Sequence, residues 1–219
     1  MSAVDRKFSA RLDCRYLLRP GEPGGGLVVA LHGFSSNPEV MLRLTERMVG
    51  SRHAIAALEA PYGFFLGKDK PDVGYGWATN KRHADSVRLH HDMVRHTLEQ
   101  AGRELGVPAE GRVLLGFSQP VSLNYRFVVA HPDLVRGVIG ICGGLPGDWD
   151  DGVPGRIDAA VLHIARREDE HYPESVTEQF AARLRLRCED VEFHQLAGGH
   201  RLPSDGGSLI QAWLDRLLS

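Results

Sequence analysis

Cysteine is scarce in this chain. Cys14, Cys142 and Cys188 lie far apart, form no C-x-x-C pair and are odd in number. That argues against a disulfide framework or a thiolate zinc site, and leaves buried thiols in a reducing compartment as the expectation. An excess of one charge is lacking too: 26 basic residues against 28 acidic ones give a formal net charge of −2. No stretch concentrates lysine or arginine, so nothing marks a nucleic-acid-binding surface. No apolar run approaches the roughly 20 residues of a membrane-spanning helix. The opening MSAVDRKFSARLDC has no apolar core behind a basic start. Neither a membrane span nor a secretory signal is therefore expected, and the cytoplasm is the expected compartment. Repeats, low-complexity tracts and linkers are also lacking. The 219 residues read as one domain, 1–219, long enough to bury a substantial core.

What the chain has is alternation. Short β-rich apolar runs at 14–18, 27–31, 53–58, 113–115, 135–142, 159–165 and 191–196 read as strands. Between them, amphipathic stretches at 39–49, 84–105, 173–186 and 204–218, and one from Ser118 to before His131-Pro132, read as helices. The run LVVAL (27–31) is apolar throughout, as expected of a strand covered on both faces. Asn37 and Pro38 suit an N-cap and a first helical position. On the helix behind them, Val40, Met41, Leu44 and Met48 point inward. Residues 62–82, where glycines and prolines separate aromatic residues, read as a long loop. The fold class is α/β, with a mostly parallel central sheet, helices on both faces and no large cap.

In such a sheet the functional loops follow the carboxyl ends of the strands. After LVVAL comes His32-Gly33-Phe34; after the run ending in Gly116-Phe117 comes Ser118; after VLHIA come Arg166 to His171; after VEFHQL come Ala197 to His200. A strand, a tight turn with serine at its apex and a helix make the layout of a nucleophile elbow. Serine in a G-x-S-x stretch is by itself mostly a turn residue. Here an acid and a histidine stand at the matching strand ends, in the order Ser, Asp, His. Serine needs a base within hydrogen-bond reach, and the imidazole of His200 is the candidate. Asp169 is the favoured orienting carboxylate, with Glu168 and Glu170 as competitors. Among the other histidines, His83, His90, His91 and His96 lie on or beside the 84–105 helix without paired carboxylates and read as a solvated face. His163 and His194 fall inside strands and read as packed.

The pieces LHGF (31–34), EAPYG (59–63), Trp77, GFSQ (116–119), D-x-x-Y-P (169–173) and AGGH (197–200) cover nearly the whole chain. Together they resemble the phospholipase/carboxylesterase family of α/β-hydrolases, which includes acyl-protein thioesterases and small bacterial esterases. The resemblance implies a catalytic triad of Ser118, Asp169 and His200, and an oxyanion hole from the backbone N–H groups of Phe34 and Gln119. It also implies cleavage of carboxylic esters or thioesters through an acyl-enzyme, with no metal or organic cofactor. The main departure is Pro120, where the G-x-S-x-G pattern has its second glycine. Proline suits the first turn of a helix, but biases Gln119 away from helical angles. Arg201, directly after the candidate base, is expected to point outward.

Phe64, Phe65, Trp77 and Trp149 are candidate walls for the substrate, and Asp148, Asp150 and Asp151 candidate rim residues. The expected partner is a small-molecule ester or thioester, with no nucleic acid and no membrane span; the sequence is compatible with a monomer or a homodimer. Two other readings use the same residues. One is a non-catalytic binding protein on a hydrolase fold, for which Pro120 speaks. The other keeps the triad but turns it on lactones, peptides or acyl transfer.

Overall fold

The structure is a computed structural model that describes residues 3–68, 70–203 and 207–219, with the backbone alone described for Lys70 and Pro71. A seven-stranded sheet forms its centre. In chain order the strands are β1 (Tyr16–Arg19), β2 (Leu27–Leu31), β3 (Ala54–Leu58), β6 (Arg112–Phe117), β7 (Gly137–Ile141), β8 (Ala160–Arg166) and β9 (Val191–Leu196). Across the sheet they run β1-β3-β2-β6-β7-β8-β9, with β1 antiparallel to β3 and every other pair parallel.

β2 shows why these residues make buried strands. Leu27, Val29 and Leu31 face one side of the sheet while Val28 and Ala30 face the other, all fully buried. The first side is covered by α2 (His83–Leu105), α3 (Pro120–Ala130) and α5 (Phe180–Arg185). The second is covered by α1 (Pro38–Val49) and α6 (Gly207–Leu217). α1 begins as its sequence demands: the Asn37 side chain accepts the N–H of Val40 at 2.9 Å, and Pro38 fills the first turn. The first three residues of the expected 204–218 helix lie outside the described residues.

Four expectations need correction. Residues 62–76 form not a loop but a hairpin, β4 (Tyr62–Gly67) and β5 (Lys70–Gly76), separate from the main sheet. The expected helix 173–186 is two short ones, α4 (Glu174–Thr177) and α5. With Thr177, Phe180 and Leu184 as its buried residues, the segment has little apolar face to hold it as one. Cys14 is exposed, unlike Cys142 and Cys188. The histidines of α2 are not all solvated, because the helix turns Ser86, His90, Met93, Val94, Thr97, Leu98 and Ala101 to the sheet. His90 is fully buried, its Nε2–H donating to Asn124 Oδ1 at 3.1 Å and its ring edge-on to Trp77.

Burial drives His90 down to about 3, and does the same to His163, whose Nδ1 accepts the Tyr125 hydroxyl at 2.7 Å. Both are neutral in the fold, whereas in the unfolded chain they titrate near 6.5. Below that value the unfolded state binds protons that the folded state refuses, so stability falls as pH falls from about 6.5 toward about 3. Urea unfolding from about pH 7.5 to about pH 4.5 should show a slope approaching roughly 1.4 kcal/mol per pH unit from each of the two. His163→Phe keeps a stacked ring and should remove one proton's worth of that slope, whatever it does to stability at neutral pH. An unchanged slope would show that His163 is not titrating between the two states.

Candidate active site

β2 lies between β3 and β6, so the chain departs from β2 on one side and returns on the other. At such a switch the loops beyond the two strands part and leave a crevice at their carboxyl ends. The loop after β2 carries His32, Gly33 and Phe34; the turn after β6 carries Ser118 and Gln119. The two approach so closely that a Cβ on Gly33 would sit 2.9 Å from the Phe117 ring.

Ser118 adopts φ 63°, a left-handed conformation that L-residues other than glycine visit at a cost of about 1–3 kcal/mol. Its N–H bonds Ile141 O at 2.9 Å and its carbonyl accepts Val121 N–H at 3.1 Å, which clamps the turn on both sides. Ser35 (φ 65°) and Cys142 (φ 46°) carry the same strain beyond β2 and β7. Three of the four non-glycine positive-φ residues among those described thus follow the carboxyl ends of neighbouring strands. Gln119 is helical at φ −50°, ψ −46°, contrary to the bias expected from Pro120. Its side chain explains why: Oε1 accepts Trp77 N–H at 2.7 Å and Nε2 donates to Ala78 O at 3.1 Å, fixing the residue between two elements.

Ser118 Oγ lies 2.8 Å from His200 Nε2. His200 Nδ1 lies 3.0 and 2.9 Å from the two oxygens of Asp169. With the carboxylate accepting from Nδ1–H, Nε2 is left to accept from the serine hydroxyl. Asp169 Oδ1 also accepts the N–H groups of His171 at 2.8 Å and Tyr172 at 2.9 Å. Burial pushes the Asp169 carboxyl up, but the His200 bond and those two N–H donors outweigh it and hold the group below its ordinary value. The imidazole is caged by rings: Phe117 at 5.1 Å, His171 edge-on at 4.6 Å and Tyr172 at 6.0 Å between centroids.

The two competing acids take other tasks. The Glu168 carboxylate accepts the N–H of Gly198, and Glu170 Oε2 accepts the N–H of His200 at 3.2 Å. Three consecutive acids therefore grip the histidine loop at three points, and only Asp169 reaches the ring. Arg201 is exposed, as expected of an outward side chain.

Cys142 adds a thiol to this cluster, within 4.8 Å of donor atoms on Asp169 and His200. Burial and the Asp169 carboxylate push that thiol up to about 12, and Sγ–H donates to Arg201 O at 3.5 Å. A protonated thiol beside an imidazole and carboxylate already bonded to each other makes a poor cation site.

No family model and no curated protein matches the sequence. Solved structures do match in shape. The chain is similar to the Bacillus cereus carboxylesterase, at 15% identity and TM-score 0.73 over 93% of this chain and 94% of that one. It is similar to a carboxylesterase from Mesorhizobium loti, at 19% identity and TM-score 0.74 over 92% and 94%. It is also similar to a phospholipase/carboxylesterase from Dyadobacter fermentans, at 19% identity and TM-score 0.69 over 92% and 96%. This is the α/β-hydrolase fold.

Above the strand ends of that fold lies an open cleft of about 660 Å³, with Gly33, Phe34, Ser118, Gln119, His171 and His200 around its centre. The predicted walls fall differently. Trp77 is fully buried and anchors the loop after β5 through Nε1–H to His32 O at 2.7 Å. Trp149 is equally buried, against Tyr125 and under the Arg187 guanidinium. Neither faces the cleft, because each fills a gap in the core. Phe65 points away from it, 77% exposed. Phe64 touches the site through Phe34, stacked at 5.0 Å. Asp148 and Asp150 pair with Arg126 and Arg183 instead of rimming the cleft. The residues missed include the polar Thr79, Asn80 and His83, Ser122 one helical turn beyond Ser118, and the apolar Ala78 and Leu123. Helical spacing from the serine would have found Ser122. Nothing short of the hairpin's path would have found those that follow it.

The Gln119 amide ties the cleft wall to the elbow, which makes it testable. Gln119→Ala should lose about 1–3 kcal/mol of unfolding free energy in urea, since Trp77 N–H and Ala78 O each lose a partner. Gln119→Glu should lose at least as much, because a carboxylate restores an acceptor for Trp77 but sets a second oxygen against Ala78 O. Equal stability of Gln119→Glu and the native chain would show that the wall is held by other contacts.

Proposed function

We propose that the chain is a serine hydrolase of carboxylic esters, with thioesters open to the same acyl chemistry. One observation supports this above the rest: an unbroken hydrogen-bond chain from Ser118 through His200 to Asp169, headed by a serine held at positive φ. A ligand-binding role alone would leave that strain without a purpose.

Ser118 Oγ attacks the acyl carbon while His200 Nε2 takes its proton. Asp169, held ionised by its N–H donors, stabilises the imidazolium and keeps Nδ1 protonated. The oxyanion falls to the backbone N–H groups of Phe34 and Gln119, neither of which has a partner among the described residues. His200 then protonates the leaving oxygen, the acyl-serine remains, and a water activated by His200 releases the acid. The steps call on no metal or organic cofactor.

Hydrolysis of p-nitrophenyl acetate should fall by about 10⁶ in Ser118→Ala or His200→Ala, and the double variant should be no worse than either. Asp169→Asn should cost about 10⁴, because the amide cannot hold the imidazole in the working tautomer. Near-native turnover by a folded Ser118→Ala protein would end this reading.

A further inference from the structure

Two hollows meet at His200. The first is the cleft above Ser118. The second is a groove of about 250 Å³ on the far side of Phe117 and His200, walled by Val40, Met41 and Leu44 of α1 and by Leu202. Gly33, Phe117 and His200 line both, so cleft and groove adjoin at the His200 imidazole. Resting on the hydrolase reading, we propose that this groove binds the alkyl part of the leaving alcohol, and that the substrates are esters of short aliphatic alcohols.

Proton transfer decides which half of the ester goes where. The leaving oxygen must lie within hydrogen-bond reach of His200 Nε2, so the carbon chain on that oxygen begins beside the imidazole. The groove contains His200 and the next two residues, Arg201 and Leu202, but not Ser118, Phe34 or Gln119. Those three line the cleft, where the acyl carbon and its oxygen have to be held. The linings differ too. The cleft is mixed, with Thr79, Asn80, His83 and Ser122 beside Phe34, Ala78 and Leu123, whereas the groove presents mostly hydrocarbon.

α1 supplies an independent reason. Its apolar stripe predicts four inward residues, yet only Met41 and Met48 are fully covered. Val40 and Leu44 stay half-buried along the groove, apolar surface that no described part of the chain covers. A volume of 250 Å³ is roughly eight times the ~30 Å³ that a water molecule takes up in the liquid, enough for an alkyl chain of a few carbons. Full burial of a methylene raises kcat/KM about fourfold, and an open groove should return two- to fourfold.

The test follows kcat/KM by acid release for two ester series on the native protein. One varies the alcohol in methyl, ethyl, propyl and butyl acetate; the other varies the acid in ethyl acetate, propionate and butyrate. The expected result is a rise of about two- to fourfold per methylene in the alcohol series and a flat acid series. Leu44→Trp, which fills the groove, should bring the butyl-to-methyl ratio back toward one. With pentyl and hexyl acetate added, Leu44→Ala, which widens the groove, should carry the rise to a longer alcohol than the native protein does. A flat alcohol series, or an acid series that rises and responds to Leu44→Trp, would overturn the assignment. Labelling of Ser118 by a fluorophosphonate separates the two failures. A labelled protein with a flat alcohol series refutes the groove alone, while absence of both labelling and turnover removes the hydrolase reading and the groove with it.

Discussion

The structure depends on one sharp reversal of the backbone, at Ser118. A strand running directly into a helix has to turn within a residue or two, and here the turn is made by a serine in a conformation made for glycine. What holds it there is the close approach of α3 to the sheet. A Cβ on Gly116 would lie 2.6 Å from Asn124 Nδ2, and one on Gly143 would lie 2.4 Å from the Val121 side chain and 2.7 Å from Ser118 O. Bare backbone at these two positions lets the helix sit low enough for Ser118 N–H to reach Ile141 O. Without that clamp the serine would have no reason to remain strained, and its hydroxyl no fixed place above the sheet edge.

The histidine is placed by a different device. β8 and β9 are parallel neighbours, and their ladder runs on past both strands through Arg167 N–H to Leu196 O at 2.9 Å and Glu168 N–H to Gly198 O at 3.1 Å. The acidic stretch and the glycine-rich stretch are therefore kept side by side, which lets three carboxylates meet the histidine loop in register. Gly198, at φ 109°, supplies the turn that brings His200 back over the crevice. Serine and histidine thus reach 2.8 Å by two unrelated routes, one through helix packing and one through an extended sheet ladder. The imidazole is the one group on which both depend.

The sequence was legible where chemistry follows from topology. Parallel strands put their carboxyl ends on one edge, and Ser118, Asp169 and His200 all follow such ends in the sequence. Asp169 was favoured over Glu168 and Glu170, but which of the three reaches the ring depends on which way each side chain points from a tight turn. Three features were hidden for particular reasons. β4 and β5 lie outside the main sheet, and their glycines and aromatic residues look the same in a loop as in a small hairpin. α2 turns Ser86, His90 and Thr97 to the core, and a hydrophobic pattern cannot find a face that carries polar residues. Trp77 and Trp149 fill gaps that exist only once the sheet is assembled, so loop position alone made them look like walls.

Pro120 shows how a departure from a pattern can leave the geometry of the turn intact. The close contacts at the elbow fall on Gly116 and Gly143, so the proline, buried at the first turn of α3, stands where its ring is tolerated. Its effect on the donors is more telling. Of the residues at the turn, Ser118 gives its N–H to Ile141 O, Val121 gives its N–H to Ser118 O, and Pro120 has none. That leaves Gln119 N–H without a partner among the described residues, at the positive end of a helix and on a residue that lines the cleft. A glycine at 120 would add a second N–H there and loosen the backbone that aims the first. Proline removes the extra donor and stiffens the turn, so the elbow adds to the proposed oxyanion site, beside Phe34 N–H, only the N–H that directly follows the serine.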